Sequence, residues 1–222
     1  VCKMHLFILN PVAGKGHTLK ILPEIEALMG KHALPYRVEI TEAPGHATII
    51  AREYIKENRK LRIYAVGGDG TLNEVLQGVV GSDACLGIIP AGTGNDFIKS
   101  FCAIRDPVKL LPFLVHADPV PVDICKMNDR YFLNIASAGF DADVVASTQR
   151  LKRLPLMKGK IAYIGGILLS LIRKKNIQAT FMLDDETIVM KSLLLAAFAN
   201  GRFYGGGMSP VPDARPDDGF LD

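Results

Sequence analysis

Apolar runs and helical repeats alternate along the N-terminal part of the chain. Short apolar runs rich in β-branched residues predict strands, and apolar residues at three- and four-residue spacing predict the helices between them. Strands alternating with helices form a parallel sheet, and right-handed crossovers bring the strand-to-helix loops to one edge. The predicted strands are Met4 to Leu9, Tyr36 to Ile40, Leu61 to Val66 and Cys85 to Ile89, and the predicted helices span Ile21 to Leu28, Ala47 to Ile55 and Leu72 to Val79.

Glycine-rich loops follow three of these strands, at Asn10 to Gly16, Gly67 to Glu74 and Pro90 to Asp96. Glycines let backbone N–H groups approach a ligand, and a helix N-terminus adds unpaired donors that favour an anion. Thr71 and Glu74 match a capping box, which predicts a helix start inside the second loop. Because ligands bind at this edge of open α/β sheets, the loops predict a phosphate site.

Asp69 lies within the second loop, where a negative charge needs an explanation. A carboxylate beside phosphates is repelled unless it holds a magnesium ion or accepts a proton from an attacking hydroxyl. The alternative is a turn-forming residue in an ordinary glycine-rich turn. The G-x-x-x-x-G-K-[ST] phosphate loop is absent, and no G-x-G-x-x-G fingerprint fits Gly68 and Gly70 because Asn73 occupies the last position.

The pattern changes near Pro119, where an extended connection leads into strands separated by turns rather than by regular helices. We therefore predict an α/β fold with two domains, a nucleotide-binding α/β domain over residues 1–124 and a mainly antiparallel β-rich domain over residues 125–222. The strands predicted for the second domain are Tyr131 to Ala136 and a hairpin of Asn176 to Leu183 with Thr187 to Phe198.

Composition and charge limit the partners and the cellular compartment that we expect for this protein. The net charge of +3, with 26 basic and 23 acidic residues interleaved, argues against nucleic acid as a partner. Four scattered cysteines without a C-x-x-C pair indicate a reducing cytosol. Leu151 to Lys175 is an apolar helical segment with basic flanks, and it is either a buried helix with solvated ends or a surface that docks on anionic lipid.

Taken together, the motifs resemble those of the diacylglycerol kinase catalytic-domain family, particularly its soluble bacterial branch. The resemblance covers the whole chain. It implies an α/β domain similar to those of phosphofructokinases and NAD kinases, a β-rich domain, and ATP in the cleft between them. The motifs that carry it are Asn10 to Gly14, Gly67 to Glu74, Pro90 to Asp96, Phe132 to Ala136, Tyr204 to Met208 and Asp217 to Asp222.

The family's nucleotide contacts fall on the loops that the residue pattern selects independently, with the addition of Thr41 after the second predicted strand. The ATP-binding residues that the resemblance implies are Asn10, Pro11, Val12, Ala13, Gly14, Thr41, Gly67, Gly68, Asp69, Gly70, Thr71, Leu72, Asn73, Thr93, Gly94 and Asn95.

The resemblance also implies catalytic carboxylates and a metal site. Asp69 would serve the magnesium of MgATP directly or through water, with Asp123 as a second carboxylate in the same network. From the residues alone, Asp123 is a turn residue in a proline-rich connection. A structural magnesium site would take the side chain of Asp218 and backbone oxygens of Arg215 and Phe220, although Asp-Asp-Gly by itself is more often a plain turn.

The end of the sequence departs from the family pattern. Members of the family continue past the position of Asp222 and carry their catalytic glutamate there. We therefore expect a fragment with weak or no catalysis, in which missing strands leave sheet edges that aggregate or pair with another copy.

The predicted function is transfer of the ATP γ-phosphoryl group, with magnesium, to the hydroxyl of a diacylglycerol-like membrane lipid. Such a protein would be cytoplasmic and peripheral at the inner face of the membrane, and a homodimer is the commonest arrangement for a soluble enzyme. One alternative is a kinase of a soluble acceptor, such as NAD kinase, which also uses a Gly-Gly-Asp-Gly loop. Another is a nucleotide- or lipid-binding protein without catalysis.

Overall fold

The computed structural model describes residues 4–151, 165–166, 169–170 and 177–222. The chain forms two compact units, and the division predicted at residues 124 and 125 stays a prediction. The first unit comprises Val1–Ile135 and Ala199–Asp222, and the second comprises Ala136–Phe198.

The first unit contains a four-stranded parallel sheet, as the alternating pattern predicts. Its strands are β1 (Met4–Leu9), β2 (Tyr36–Ile40), β3 (Leu61–Gly67) and β4 (Cys85–Pro90). The strand order is β2-β1-β3-β4. Leu9 pairs with Ile40 of β2 and with Val66 of β3, and Val66 pairs with Ile89 of β4. The carboxyl ends of all four strands therefore lie level at one edge.

Helices cover both faces of this sheet. They are α1 (Leu22–Lys31), α2 (His46–Glu57), α3 (Asp69–Val79) and α4 (Pro107–His116). Along β1, Leu6 and Ile8 pack into a core cluster with α2 and α3, whereas Phe7 and Leu9 pack with α1 and α4. Because both faces of the strand are buried, its sequence is a continuous apolar run rather than an alternating one.

Helix α3 begins earlier than the capping box predicts. Its first residue is Asp69, its N-cap is Gly68, and no side chain caps its first N–H groups. Thr71 is buried, and its hydroxyl accepts a 3.0 Å hydrogen bond from Nδ2 of Asn10. The capping-box prediction is wrong because the Thr71 side chain binds the first glycine-rich loop instead of its own helix.

The rest of the chain is mainly antiparallel. Its elements are β5 (Cys125–Met127), β6 (Arg130–Phe132), β7 (Ile135–Gly139), α5 (Phe140–Leu151), β8 (Ile177–Leu183), β9 (Glu186–Leu193) and β10 (Leu195–Ala199). Strand β5 pairs with β6, β7 with β10, and β8 with β9. The predicted hairpin is confirmed, since β8 and β9 are antiparallel and Leu183 lies opposite Glu186.

Helix α5 lies where only turns were predicted. In addition, two of the predicted strands are each divided into two strands. Residues 131–132 belong to β6 and residues 135–136 to β7, and the two strands separate at Leu133 and Asn134 because β6 pairs with β5 and β7 pairs with β10. The predicted strand Thr187 to Phe198 breaks after Leu193 for the same reason, since β9 and β10 have different partners. Most of Leu151 to Lys175 lies outside the described residues, and both interpretations of it stay predictions. No helix in the described part of the chain is long and apolar enough to cross a membrane.

Candidate functional site

Three glycine-rich loops meet in direct backbone contact at the carboxyl edge of the sheet. Gly14, after β1, has a φ of +56°, and a Cβ there would lie 1.9 Å from the carbonyl oxygen of Ala91 after β4. A Cβ on Gly92 would lie 2.4 Å from the Cα of Gly68 after β3. Glycine is required at these contacts because the next loop occupies the space of a side chain.

Asn10 fixes the first loop to the third strand and its helix. Its backbone N–H donates to the carbonyl of Val66, and its side chain donates to the Thr71 hydroxyl. The Asn10 carbonyl accepts from the hydroxyl of Thr18 at 2.7 Å, and its side-chain oxygen accepts from the N–H of Val12. With its polar groups used in this way, Asn10 shapes the loop, while the Val12 side chain is 80% exposed at the tip.

Asp69 is fixed by the loop that follows β4. Its two carboxylate oxygens accept one hydrogen bond each, from the backbone N–H of Asp96 to Oδ2 and from that of Phe97 to Oδ1, both at 3.0 Å. These bonds hold the carboxylate in one orientation at the first turn of α3. Each oxygen keeps a lone pair that can bind a metal ion or a water molecule.

Asp96 is a second carboxylate of the site, and it is not among the site residues predicted from the sequence. The residue is only 5% exposed. Its Oδ1 lies 2.5 Å from the Lys99 ammonium group, and its Oδ2 accepts a 2.7 Å hydrogen bond from the N–H of Gly206. The available signal was its place at the end of the Pro90 to Asp96 loop, one residue before a buried phenylalanine. The partner at Gly206, 110 residues away, left no local signal.

The loop after β4 is folded by its own asparagine. Asn95, at a φ of +50°, accepts from the N–H of Gly92 and donates to its carbonyl, both at 2.9 Å. Gly94 lies beneath both carboxylates, since a Cβ there would be 3.1 Å from Asp69 Oδ2 and 3.4 Å from Asp96 Oδ2. Thr93 is exposed at the tip of the loop.

Three of the predicted nucleotide-binding residues have side chains that are buried or hydrogen-bonded to another part of the protein. Leu72 is 4% exposed in the core, and Asn73 donates a 3.0 Å hydrogen bond to the carbonyl of Tyr131. Thr41 is buried at the end of β2, where its N–H donates to the carbonyl of Leu9. The remaining predicted contacts, Pro11, Ala13, Gly67 and Gly70, lie at the carboxyl ends of β1 and β3.

Asp123 belongs to a different hydrogen-bonded group. Its Oδ2 accepts from the N–H of Gly219 at 2.7 Å, and its own N–H donates to the carbonyl of Pro216. Burial and then the negative charge of Asp123 raise the pKa of the neighbouring Cys125 thiol. The hydrogen bonds of the described residues tie Asp123 to the segment that carries the predicted metal site, rather than to Asp69.

The predicted metal-site residues form a local turn. Oδ1 of Asp218 accepts a 3.1 Å hydrogen bond from the N–H of Phe220, and Arg215 makes an exposed ion pair with Asp217 at 3.5 Å. Across the described ranges, no three His, Cys, Asp or Glu side chains converge as a metal site. The assignment of Arg215, Asp218 and Phe220 to a metal stays a prediction.

The carboxylates and the loops do suit a magnesium ion that arrives with ATP. Magnesium keeps several waters and is commonly held by one or two carboxylates plus substrate phosphates, so it needs no all-protein cage. Asp69 supplies such a carboxylate, whereas the two oxygens of the neighbouring Asp96 already have partners in Lys99 and Gly206. The uncapped start of α3 and the close backbone at Gly14 and Gly92 supply the surroundings that a phosphate chain requires.

A mainly apolar cavity of about 440 Å³ lies beside β4 within the first unit. Phe97 lines this cavity, and its backbone N–H is the donor that holds Asp69. Other apolar residues on its wall are Leu72, Leu76, Val79, Ile98 and Phe101. Phe97 therefore links this apolar surface to the Asp69 carboxylate.

Comparisons with known proteins identify the family of the chain. Residues 4–127 match the family model of the diacylglycerol kinase catalytic domain, and residues 134–222 match that of the YegS C-terminal NAD kinase beta sandwich-like domain. A diacylglycerol kinase of Staphylococcus carnosus is 33% identical over 216 residues, which cover 96% of this chain and 69% of the relative. One from Mycobacterium tuberculosis is 31% identical over 221 residues, which cover 96% and 70%.

A solved structure shows the same fold. A crystal structure of a diacylglycerol kinase from Bacillus anthracis superposes with a TM-score of 0.73 at 25% identity, over 99% of this chain and 74% of that one. Both family models, the relatives and the solved structure point to the same family. The chain belongs to the diacylglycerol kinase catalytic-domain family.

Proposed function

We propose that this chain is an ATP- and magnesium-dependent kinase that phosphorylates the hydroxyl of a diacylglycerol-like lipid. The observation that carries the proposal is the Asp69 carboxylate, held by two 3.0 Å backbone hydrogen bonds where three glycine-rich loops meet. A fixed carboxylate at the edge of a phosphate-binding loop is what MgATP requires. Relatives named diacylglycerol kinase support the same class of reaction.

Phosphoryl transfer depends on positioning and charge more than on covalent help. The backbone at Gly14, Gly68 and Gly92 and the start of α3 would orient the phosphate chain. Asp69 would hold the magnesium ion, which when bound supplies positive charge beside the transferred group, and Asp96 would hold Asp69 through its backbone N–H. The lipid oxygen forms a bond to the γ-phosphorus, the bond from that phosphorus to the leaving ADP oxygen breaks, and the hydroxyl proton goes to a carboxylate base.

A lipid acceptor agrees with the apolar cavity beside Phe97 and Leu72. A soluble, polar acceptor gains little from such a wall, whereas an acyl chain is stabilised by it. An acceptor in a bilayer also requires contact with the membrane, and we place the protein in the cytoplasm, peripheral at the inner face. Co-sedimentation with anionic vesicles tests that contact, and light scattering tests the predicted homodimer.

The direct test is product formation from radiolabelled ATP and magnesium, with detergent-dispersed diacylglycerols of short and long chains, other lipid alcohols, sphingoid bases and NAD as acceptors. We expect labelled lipid phosphate and no labelled NADP. The assay is run on the protein as its gene encodes it and on the 222-residue chain, so that loss of a catalytic segment is separated from a wrong assignment.

The second candidate is phosphorylation of a soluble acceptor. It is favoured by the Gly67 to Gly70 loop and by the match of residues 134–222 to an NAD kinase-like domain. Label in NADP rather than in lipid would establish it. Binding of MgATP by calorimetry without any labelled product, from either version of the protein, would establish a nucleotide-binding protein without catalysis.

A further inference from the structure

We propose that Lys99 is a positioning residue for phosphoryl transfer, which acts through Asp96 to hold both Asp69 and the Gly205–Gly207 turn in place. The inference rests on the proposed function. It adds Lys99, which is not among the predicted site residues. It starts from one partly buried ion pair, in which the Lys99 ammonium lies 2.5 Å from Asp96 Oδ1 and the two side chains are 17% and 8% exposed.

The pair is placed where negative charge accumulates. Asp69 Oδ2 and Asp96 Oδ2 both lie within 3.4 Å of the position that a Cβ of Gly94 would take. Two carboxylates this close repel each other unless a cation lies beside them. Lys99 contacts one of the two carboxylates, that of Asp96, and offsets its charge, so that the charge of Asp69 remains for a magnesium ion.

Asp96 links three separate segments through its backbone and its carboxylate. Its N–H donates to Asp69 Oδ2, and its own Oδ2 accepts from the N–H of Gly206. The Lys99 ammonium lies 3.5 Å from where a Cβ of Gly207 would be. Lys99 therefore fixes the Asp96 carboxylate, which holds the Gly205–Gly207 turn, and it anchors the residue whose backbone N–H holds Asp69 at the start of α3.

The Gly205–Gly207 turn depends on its bond to Asp96 because few contacts within the turn order its backbone. Gly205, Gly206 and Gly207 all have positive φ values, and all three are exposed. Three consecutive glycines carry a large entropic cost of ordering. The contacts that counter this cost include the bonds across the turn between Tyr204 and Met208, the 3.3 Å bond from the Gly207 N–H to the Tyr204 carbonyl, and the bond from Gly206 to Asp96.

The test compares Lys99→Met and Lys99→Arg with the matched control Lys109→Met. Lys109, like Lys99, lies three residues after an aspartate that precedes a helix, in this case Asp106. The Lys109 side chain is exposed, and only its backbone N–H contacts Asp106. Steady-state kinetics give kcat and the KM for ATP, and hydrogen exchange by mass spectrometry reports on the peptide that contains the glycine turn.

We expect Lys99→Met to lower kcat roughly tenfold or more while the KM for ATP changes little, because the lost contact orients a carboxylate and not the nucleotide. Exchange in the turn should rise. Lys99→Arg should restore both quantities, and Lys109→Met should match the wild type. Unchanged kcat and exchange in Lys99→Met would overturn the proposal, as would a loss that Lys99→Arg does not restore.

The two proposals fail in different ways. If the wild type phosphorylates no lipid, the proposed function is wrong, and hydrogen exchange alone then decides the role of Lys99. In that case, faster exchange of the turn in Lys99→Met with recovery in Lys99→Arg supports the link through Asp96. Equal exchange in all four proteins overturns it.

Discussion

Asp69 Oδ2 accepts a 3.0 Å hydrogen bond from the backbone N–H of Asp96, which is 27 residues away in the chain. The bond joins the start of α3 to the loop after β4, so the carboxylate and the loop cannot move independently. Since the neighbouring N–H of Phe97 binds the other oxygen, the orientation of the carboxylate is set by two backbone donors. A side chain fixed in this way needs no reorganisation when charge develops nearby.

Replacement of Asp69 by asparagine should abolish most of the activity and leave the protein folded. The amide keeps one acceptor oxygen but sets an NH2 group against a backbone N–H, which costs about 1 kcal/mol of unfolding free energy. Loss of the negative charge should lower kcat by roughly a hundredfold or more. Kinetics with lipid acceptor and thermal unfolding measure the two effects. Activity within a few-fold of the wild type would show that Asp69 is not the magnesium carboxylate.

Replacement of Gly14 by alanine should separate the first loop from the loop after β4. The φ of +56° costs an alanine about 1 kcal/mol, and its Cβ would overlap the carbonyl of Ala91, a residue held in place by the 2.8 Å bond from its N–H to the Gly67 carbonyl. We expect weaker nucleotide binding by calorimetry together with a lower unfolding midpoint.

Gly30→Ala is the matched control for that variant. Gly30 lies in α1, and a Cβ there would meet nothing within 4 Å. It should gain about 0.5 kcal/mol of stability from helix propensity and bind nucleotide normally. Equal behaviour of the two variants would show that the loop contact at Gly14 is unimportant.

Replacement of Thr71 by valine tests the link from Asn10 to α3. Valine keeps the shape of the buried side chain but removes the acceptor of the 3.0 Å bond, at a cost of about 1 kcal/mol. Denaturant unfolding measures that cost. If Thr71 were instead the cap of α3, the variant would shorten the helix, and NMR shifts of Asp69 and Gly70 would move to non-helical values.

His5 should make the protein less stable in acid. The side chain is 4% exposed and lies 3.1 Å from the Tyr64 hydroxyl, and burial, followed by the charges of Arg62 and His116, lowers its pKa. The folded state therefore favours the neutral ring, and its contribution to stability is present above the unfolded pKa of 6.5 and is lost as the pH falls below it.

The measurement is urea unfolding of the wild type and His5→Gln at about pH 7.5 and about pH 5. Glutamine carries no charge at either pH, so the variant should lose less stability between the two conditions. The other histidines are present in both proteins and cancel in the difference. An equal loss in both proteins would mean that His5 does not titrate in this range.

Sequence pattern and tertiary structure contributed different parts of the site. Hydrophobic periodicity predicted β1 to β4 and the helices between them, since buried parallel strands and amphipathic helices have distinct apolar spacing. The glycines and Asp69 followed from local chemistry. The capping box failed because the Thr71 hydroxyl had a partner 61 residues away, which no local pattern reveals.

What the sequence determined by itself was the type and order of the elements and the loops that gather at one sheet edge, because these follow from interactions between near neighbours in the chain. Only the tertiary structure decided which polar group meets which. It placed Asp96 between Lys99 and Gly206, and it bound Asp123 to Gly219 and Asn73 to Tyr131. The physical reason is that these partners, Lys99 apart, are 58 to 110 residues away in the chain, and packing at the sheet edge brings them together.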